Sequence, residues 1–284
     1  DALRKLKPAL RYRHKLNKLK TICSTGSPLS NDGFEYVYKN IKKNVHLSSI
    51  SGGTDIVSCF VLGNIYQPVH IGEIQNKGLA LNVDIFNDKG KPIKNNKGEL
   101  VCKNPFPSMP LKFWNDKNDN KFKDAYFNRF SHTWHHGDFA EIKETRGFVI
   151  HGRSDTTLNP GGVRLGTAEI YSEVEKFKEI KESIVVGQSW DNDVRIILFI
   201  VMNTKFYFTK DLLKKIKIQI RKNASPRHVP SKVIVVKDIP RTKSGKIVEL
   251  AVKNTIEGNN IKNKEALANP KALEQFKNIK ELSI

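Results

Sequence analysis

The stretch His151 to Tyr171, HGRSDTTLNPGGVRLGTAEIY, limits what this chain can fold into more than any other. It packs an Arg153/Asp155 pair, the breaker cluster Asn159-Pro160-Gly161-Gly162, a second arginine at Arg164 and a helix start into one short span. Proline removes a backbone donor and adjacent glycines favour turns, so no regular element runs through it. Before it the sequence reads as strands and long loops, and after it strands and helices alternate. The pattern predicts two domains that meet within this stretch, with charged side chains on the joint. A chain of 284 residues is long enough for both.

Composition narrows the class of protein. An apolar fraction of 38% is well above that of a disordered chain. No apolar run approaches the ~20 residues of a membrane span, and no charged-then-apolar leader precedes a cleavage site. The chain begins at Asp1 without a methionine, which leads to the expectation of a fragment. Cys23, Cys59 and Cys102 are far apart, against a disulfide framework or a cysteine zinc site and in favour of a reducing, cytoplasmic compartment. The net charge of +20 is spread along the chain and reads as solvated surface. A basic nucleic-acid-binding module is the competing class, and the lack of aromatics interleaved with the basic residues speaks against it.

Along the chain, Leu3, Leu6, Leu10, Leu16 and Leu19 have near-helical spacing within a basic stretch broken by Pro8, an amphipathic surface helix more readily than a membrane-lying one. Strand character follows at Thr21, then the break Gly26-Ser27-Pro28, then a helix over Phe34–Ile41 capped by Asn31 or Asp32. Alternating residues lead into Ser51-Gly52-Gly53-Thr54-Asp55. Residues 68–150 predict short strands with turn signals, LNVDIF and GELVCK among them, and Gly137-Asp138 is expected on a turn before a further strand. Thr167 is expected to cap a helix. ESIVVGQ, VRIILFIVM and KVIVVKDIP read as strands and DLLKKIKIQIRKN as a helix. A helix over 247–257 and a helical tail at 265–282 complete a small α+β domain.

Several groups suit a phosphorylated ligand. Open α/β sheets bind ligands beyond the carboxyl ends of their strands, where Gly26-Ser27-Pro28 falls. Gly52 and Gly53 let backbone N–H groups approach an anion, Thr54 adds a hydroxyl, and Asp55 offers a hard oxygen ligand for Mg2+, although on the residues alone a plain turn with a helix cap is the favoured reading. Asp138 suits a diol such as ribose. The spacing of His132, His135 and His136 suggests zinc, but no further ligand pattern accompanies it. Pro240-Arg241-Thr242-Lys243-Ser244-Gly245-Lys246 is not a P-loop, since Pro240 and Ile247 occupy positions that demand glycine and Ser/Thr. Lys246 still offers a flexible point charge for a phosphate or a developing anion, with an exposed turn lysine as the alternative.

Taken together and in order, Gly26-Ser27-Pro28, Gly52–Asp55, Trp134-His135-His136-Gly137-Asp138, Gly152-Arg153-Ser154-Asp155 with Gly162-Val163-Arg164, and Pro240–Lys246 resemble the adenylate-forming superfamily. Within it the chain resembles acyl-CoA synthetases of the acetoacetyl type, through SGGTD, NPFPSMPLKFWND, WHHGD, NPGGVRLGTAEIY and ANPKALEQF. The resemblance implies an α/β and β-rich C-terminal part of a large AMP-binding domain over 1–154, then a small mobile α+β domain over 155–284. It implies ATP, Mg2+ and coenzyme A, and AMP-forming ligation of a short acid, acetoacetate first. Another short- or medium-chain acyl-CoA synthetase and a carrier-protein adenylation domain remain open. By match to the family motifs, Gly26, Ser27 and Pro28 line the adenine pocket, Thr54 meets phosphate and Asp55 stands where a metal-binding Glu is usual. Asp138 takes the ribose hydroxyls, Arg153 the ribose–phosphate region, and Lys246 the charge developing in adenylation. Gly162 lies by the pantetheine tunnel, Arg164 and Arg221 near the nucleotide and coenzyme A phosphates, and Asp155 is the hinge. Small residues at Ser51 and Gly52 imply room for an acid longer than acetate. The family's phosphate loop is expected upstream of this segment, so the segment is expected to be inactive alone and to expose apolar surface.

Overall fold

The structure, a computed structural model, describes residues 3, 6, 8, 10–261 and 264–283. The chain divides into two units, Asp1–Ser154 and Asp155–Ile284.

In the first unit, helix α1 spans Leu10–Arg13, and the backbone leaves helical geometry at Leu16 (φ 23°). The longer helix expected over 1–20 therefore stops early, and its first turns lie largely outside the described residues. Strand β1 (Thr21–Ser24) is followed by α2 (Asn31–Tyr36), which runs on as a π-helical turn over Val37–Ile41. The helix begins earlier than its apolar pattern predicts, and the capping position falls to Ser30 in place of Asn31 or Asp32. Strand β2 (His46–Ser49) pairs in parallel with β1, from Thr21↔His46 to Ser24↔Ser49. Phe34, Val37, Val45 and Leu47 fill the space beneath the pair. Parallel pairing puts both carboxyl ends at one edge, so the Gly26-Ser27-Pro28 loop and the Ser51–Asp55 segment leave the sheet side by side.

Strands β3 (Ser51–Gly53), β4 (Ser58–Leu62) and β5 (Asn76–Lys77) form a small antiparallel sheet. Strands β6 (Val83–Phe86), β7 (Gly98–Cys102), β8 (Trp134–Ile142) and β9 (Phe148–Arg153) form an antiparallel sheet in chain order. Helix α3 (Asn120–Tyr126) supplies Phe122 to the core that Phe60, Val83, Ile85, Leu100, Trp134 and Phe148 share. Asp138 lies inside β8 and not on a turn, because β8 runs unbroken through Gly137. Glu99 pairs with Phe139 and Val101 with His135, so His136-Gly137-Asp138 bulge opposite the single residue Leu100.

The second unit begins with a turn around Asn159–Gly162, closed by reciprocal backbone bonds between Leu158 and Leu165 (2.9 and 2.8 Å). Helix α4 spans Thr167–Val174. Thr167 is its first residue and Gly166 its cap, with Glu169 Oε2 accepting from the Gly166 N–H at 3.3 Å. Strands β10 (Ile180–Trp190) and β11 (Asp193–Met202) form a hairpin, and β12 (Lys232–Val235) joins β11 in parallel. Helix α5 (Lys210–Asn223) connects β11 to β12, capped by Thr209 Oγ1 accepting from the Leu212 N–H at 3.1 Å. Ile184, Val186 and Phe199 pack on one face of this sheet with helix α6 (Glu249–Ile256) and the C-terminal segments. Val185, Leu198 and Ile200 pack on the other with α4 and α5. A sheet covered on both sides accounts for the unbroken apolar runs that marked these strands in the sequence. The expected tail helix is instead three 3-10 segments, Lys264–Ala266, Pro270–Phe276 and Lys280–Leu282. Pro270 and a positive φ at Asn278 (51°) interrupt any continuous helix. Among the described residues no helix is long and apolar enough to cross a membrane.

Candidate active site

In the first unit the candidates from three separate motifs converge. The β8 bulge turns Asp138 inward, where its side chain is 9% exposed. Arg153, at the end of β9, donates to Asp138 Oδ1 at 3.1 Å and to the His136 carbonyl at 3.0 Å. Ser51 donates its hydroxyl to Asp138 Oδ2 at 3.3 Å. A carboxylate offers about four lone-pair positions, so these two donors fix Asp138 while leaving acceptor capacity on both oxygens. The arginine also offsets the cost of holding a charge in a buried site.

Glycines make this approach possible. Gly137 has φ 79°, and a Cβ there would lie 2.7 Å from the Arg153 guanidinium. A Cβ on Gly53 would overlap Asp55 Oδ1 and sit 2.7 Å from the His136 ring. At Gly52 it would collide with the backbone carbonyl of Ser58, so packing of β3 on β4 requires that glycine irrespective of any ligand.

Asp55 is exposed on the turn after β3. Its Oδ1 accepts from the Ile56 N–H at 3.2 Å and its Oδ2 from the Tyr126 hydroxyl at 2.6 Å. Burial, reinforced by the bond to Asp55, pushes the Tyr126 phenol well above its ordinary range. Thr54 beside it is exposed. Among the described residues no group of three or more His, Cys, Asp and Glu could hold a metal ion. His135 is engaged with Glu99 (2.8 Å), and His136 is buried, its Nδ1 accepting from the Trp134 indole N–H at 3.4 Å. Burial holds the His136 pKa below its usual value, with Asp138 opposing. One exposed carboxylate with spare lone pairs fits Mg2+, which takes one or two carboxylates and completes its shell with water and substrate phosphates.

The second-unit candidates sit on separate elements. Gly162 (φ 74°) is exposed at the 158–165 turn, where Gly161 donates its N–H to both oxygens of Asp193 (2.9 and 3.0 Å). Arg164 donates to Thr157 Oγ1 at 3.1 Å. Arg221 is exposed in the last turn of α5. Lys246 is exposed on a tight turn. Its N–H donates to Thr242 Oγ1 at 3.0 Å, its carbonyl accepts from the Thr242 N–H at 2.9 Å, and Arg241 donates to the Gly245 carbonyl at 2.9 Å.

Two carboxylates and one phenol escaped the sequence reading. Glu99 is fully buried on β7, held by His135, by Arg129 at 3.2 Å and by the hydroxyl of Ser154. Glu249, at the start of α6, accepts from Tyr171 at 2.7 Å and from Thr156 at 3.0 Å. Tyr126 reaches Asp55 across 71 residues of sequence. No local signal marks any of them, because each pairs with a distant element.

A bulged strand that holds an Asp–Arg pair near a Gly-Gly-Thr-Asp segment, followed by an α+β unit with a Ser-Gly-Lys turn, defines a class. Residues 169–246 match the family model "AMP-binding enzyme C-terminal domain", and over nearly its whole length the chain is similar to adenylate-forming enzymes. The chain is 57% identical over 282 residues to acetoacetyl-coenzyme A synthetase of Rhizobium meliloti (strain 1021), covering 99% of this chain and 43% of that protein. It is 50% identical to the acetoacetyl-CoA synthetase of Xenopus tropicalis over 95% of this chain and 40% of that one. The solved acetoacetyl-CoA synthetase from Streptomyces lividans superposes with a TM-score of 0.91 at 37% identity, over 100% of this chain and 44% of that chain. The chain therefore spans about two fifths of the length of the relatives it matches.

Proposed function

We propose that this chain is part of an AMP-forming acid–thiol ligase that joins acetoacetate to coenzyme A through an acyl-adenylate. The observation that carries the reading is the Asp138–Arg153–Ser51 cluster, a buried carboxylate with spare acceptor capacity beside an arginine. The relatives' names support the substrate, and the unpaired state of Cys23, Cys59 and Cys102 supports a cytoplasmic setting. In the first step the acid's carboxylate attacks the α-phosphorus of ATP and pyrophosphate leaves. In the second, the thiol of coenzyme A attacks the acyl carbon and AMP leaves.

Asp138 accepts from the ribose hydroxyls, and Arg153, half exposed at 47%, presents its charge to the ribose–phosphate region. Gly26, Ser27 and Pro28 line the adenine. Gly52 and Gly53 leave backbone near the phosphates, and Thr54 donates to them. Asp55 would hold Mg2+, which when bound offsets phosphate charge. Lys246, on its turn, supplies a cation to the charge that grows on the α-phosphate. Gly162 borders the pantetheine path, and Arg164 and Arg221 meet nucleotide and coenzyme A phosphates. The first unit acts as part of the AMP-binding domain, and the second turns about Asp155 between the two steps.

The test is pyrophosphate release by the whole protein with a panel of short acids, followed by transfer to coenzyme A or to a carrier thiol. Preference for acetate over acetoacetate would overturn the substrate, and a carrier thiol as sole acceptor would overturn the ligase. Lys246→Ala is expected to lose adenylation while keeping thioester formation from supplied adenylate. Equal loss of both steps would remove Lys246 from its assigned role.

A further inference from the structure

We infer that Tyr126 is a positioning residue that fixes the Asp55 carboxylate for a divalent cation. This rests on the reading of Asp55 as the Mg2+ ligand. An aspartate exposed on a turn ordinarily samples several rotamers. Here both oxygens are held by the protein, Oδ1 by the Ile56 N–H at 3.2 Å and Oδ2 by the Tyr126 hydroxyl at 2.6 Å.

The tyrosine is itself immobilised. Its ring lies flat on the Trp134 indole, with centroids 3.7 Å apart and planes at 14°, and Trp134 is 1% exposed. Phe113 and Phe122 meet it edge-on at 5.7 and 5.5 Å. The helix that carries it is pinned at its start by Asp116, whose carboxylate accepts from the N–H groups of Lys121 (3.1 Å) and Phe122 (2.9 Å). Packing in this cluster asks only for an aromatic ring, and its other members are Phe and Trp. The hydroxyl is surplus to that packing, and its described partner is Asp55.

The chemistry of the donor matters. A lysine or arginine at 2.6 Å would also orient the carboxylate, but its charge would compete with a cation. A neutral phenol orients Asp55, leaves its negative charge intact and uses one of about four lone-pair positions. Such outer partners hold first ligands in the productive rotamer, so less order is lost when the ion arrives.

Tyr126→Phe in the whole protein tests this, because it keeps the stacked ring and deletes the hydroxyl. Titration of Mn2+ in the presence of ATP, read by the electron paramagnetic resonance of free Mn2+, is expected to show affinity falling about tenfold. The Mg2+ concentration for half-maximal pyrophosphate release rises by the same factor, while thioester formation from supplied adenylate is unchanged. In an Asp55→Asn background the same substitution has no further effect, since the two act as a pair. Unaltered Mn2+ affinity in Tyr126→Phe, or equal weakening with Asn at position 55, overturns the inference. So does a Tyr126→Phe protein that fails to fold, since the hydroxyl would then be serving the fold. A wild-type protein that binds Mn2+ with ATP but adenylates no acid overturns the proposed function and leaves this inference standing.

Discussion

At the scale of the residue, the candidate site depends on a glycine as much as on its charges. Gly137 combines φ 79° with a position where a Cβ would meet the Arg153 guanidinium at 2.7 Å. Gly137→Ala therefore faces backbone strain of about 1–2 kcal/mol and displaces the arginine from Asp138. The expected outcome is a lower melting temperature together with weaker nucleotide binding, read by thermal denaturation and ATP titration of the same protein. Lower stability with unaltered ATP affinity would mean that the Asp138–Arg153 pair serves the fold alone. The sequence marked Asp138 and Arg153 as ligand residues but placed Asp138 on a turn. Its true setting is a bulge whose register is set by pairing with β7, and Glu99↔Phe139 pairing lies 40 residues apart in the chain, beyond any local pattern. Tyr126 was hidden for the same reason, since a phenol in an aromatic-rich helix looks like core until its distant partner is known.

At the scale of the element, what was legible followed how far each element is governed by its own residues. Strands β10 and β11 and helix α5 were readable because burial on both sheet faces and a one-sided apolar helix stripe write their periods directly into the sequence. The tail was misread because Pro270 and Asn278 divide it into short turns that pack Leu273 and Phe276 without a continuous helix. Helix α6 carries a cost that its sequence does not reveal. Burial pushes the Glu249 carboxyl above its ordinary value of 4.5, although hydrogen bonds from Tyr171, Thr167 and Thr156 pull the other way. A raised folded value means that the native state holds this proton more tightly than the unfolded chain does. The stabilising contribution is thus complete below the ordinary carboxyl value and is lost as pH rises through the raised one. Each tenfold gain in proton affinity corresponds to about 1.4 kcal/mol. Glu249→Gln, a permanent mimic of the protonated form, is expected to flatten this part of the profile. Urea unfolding from acid to neutral pH checks it, and curves for the two proteins that stay parallel throughout would refute it.

At the scale of the whole molecule, the junction His151–Tyr171 gains meaning from what pins its two sides. Ser154 donates its hydroxyl to the fully buried Glu99 of the first unit, and Thr156 donates to Glu249 of the second at 3.0 Å. Asp155 thus stands between two residues, each fastened to its own unit by a carboxylate. A rotation of the units in the proposed two-step reaction then concentrates its φ/ψ change on this residue, as hinges at element ends do. Proline at 155 would fix φ near −65° and forbid one of the two backbone states if they differ in φ. Asp155→Pro in the whole protein is accordingly expected to spare one half-reaction and depress the other by at least about tenfold, equivalent to about 1.4 kcal/mol in barrier height. Pyrophosphate release measures the first step, and thioester formation from supplied acyl-adenylate measures the second. Asp155→Ala, which leaves φ unrestricted, is expected to keep both steps within a small factor of wild type. Equal losses in the two steps would indicate damage to the fold, and no loss in either would show that the units turn about some other residue, or that no turn is needed.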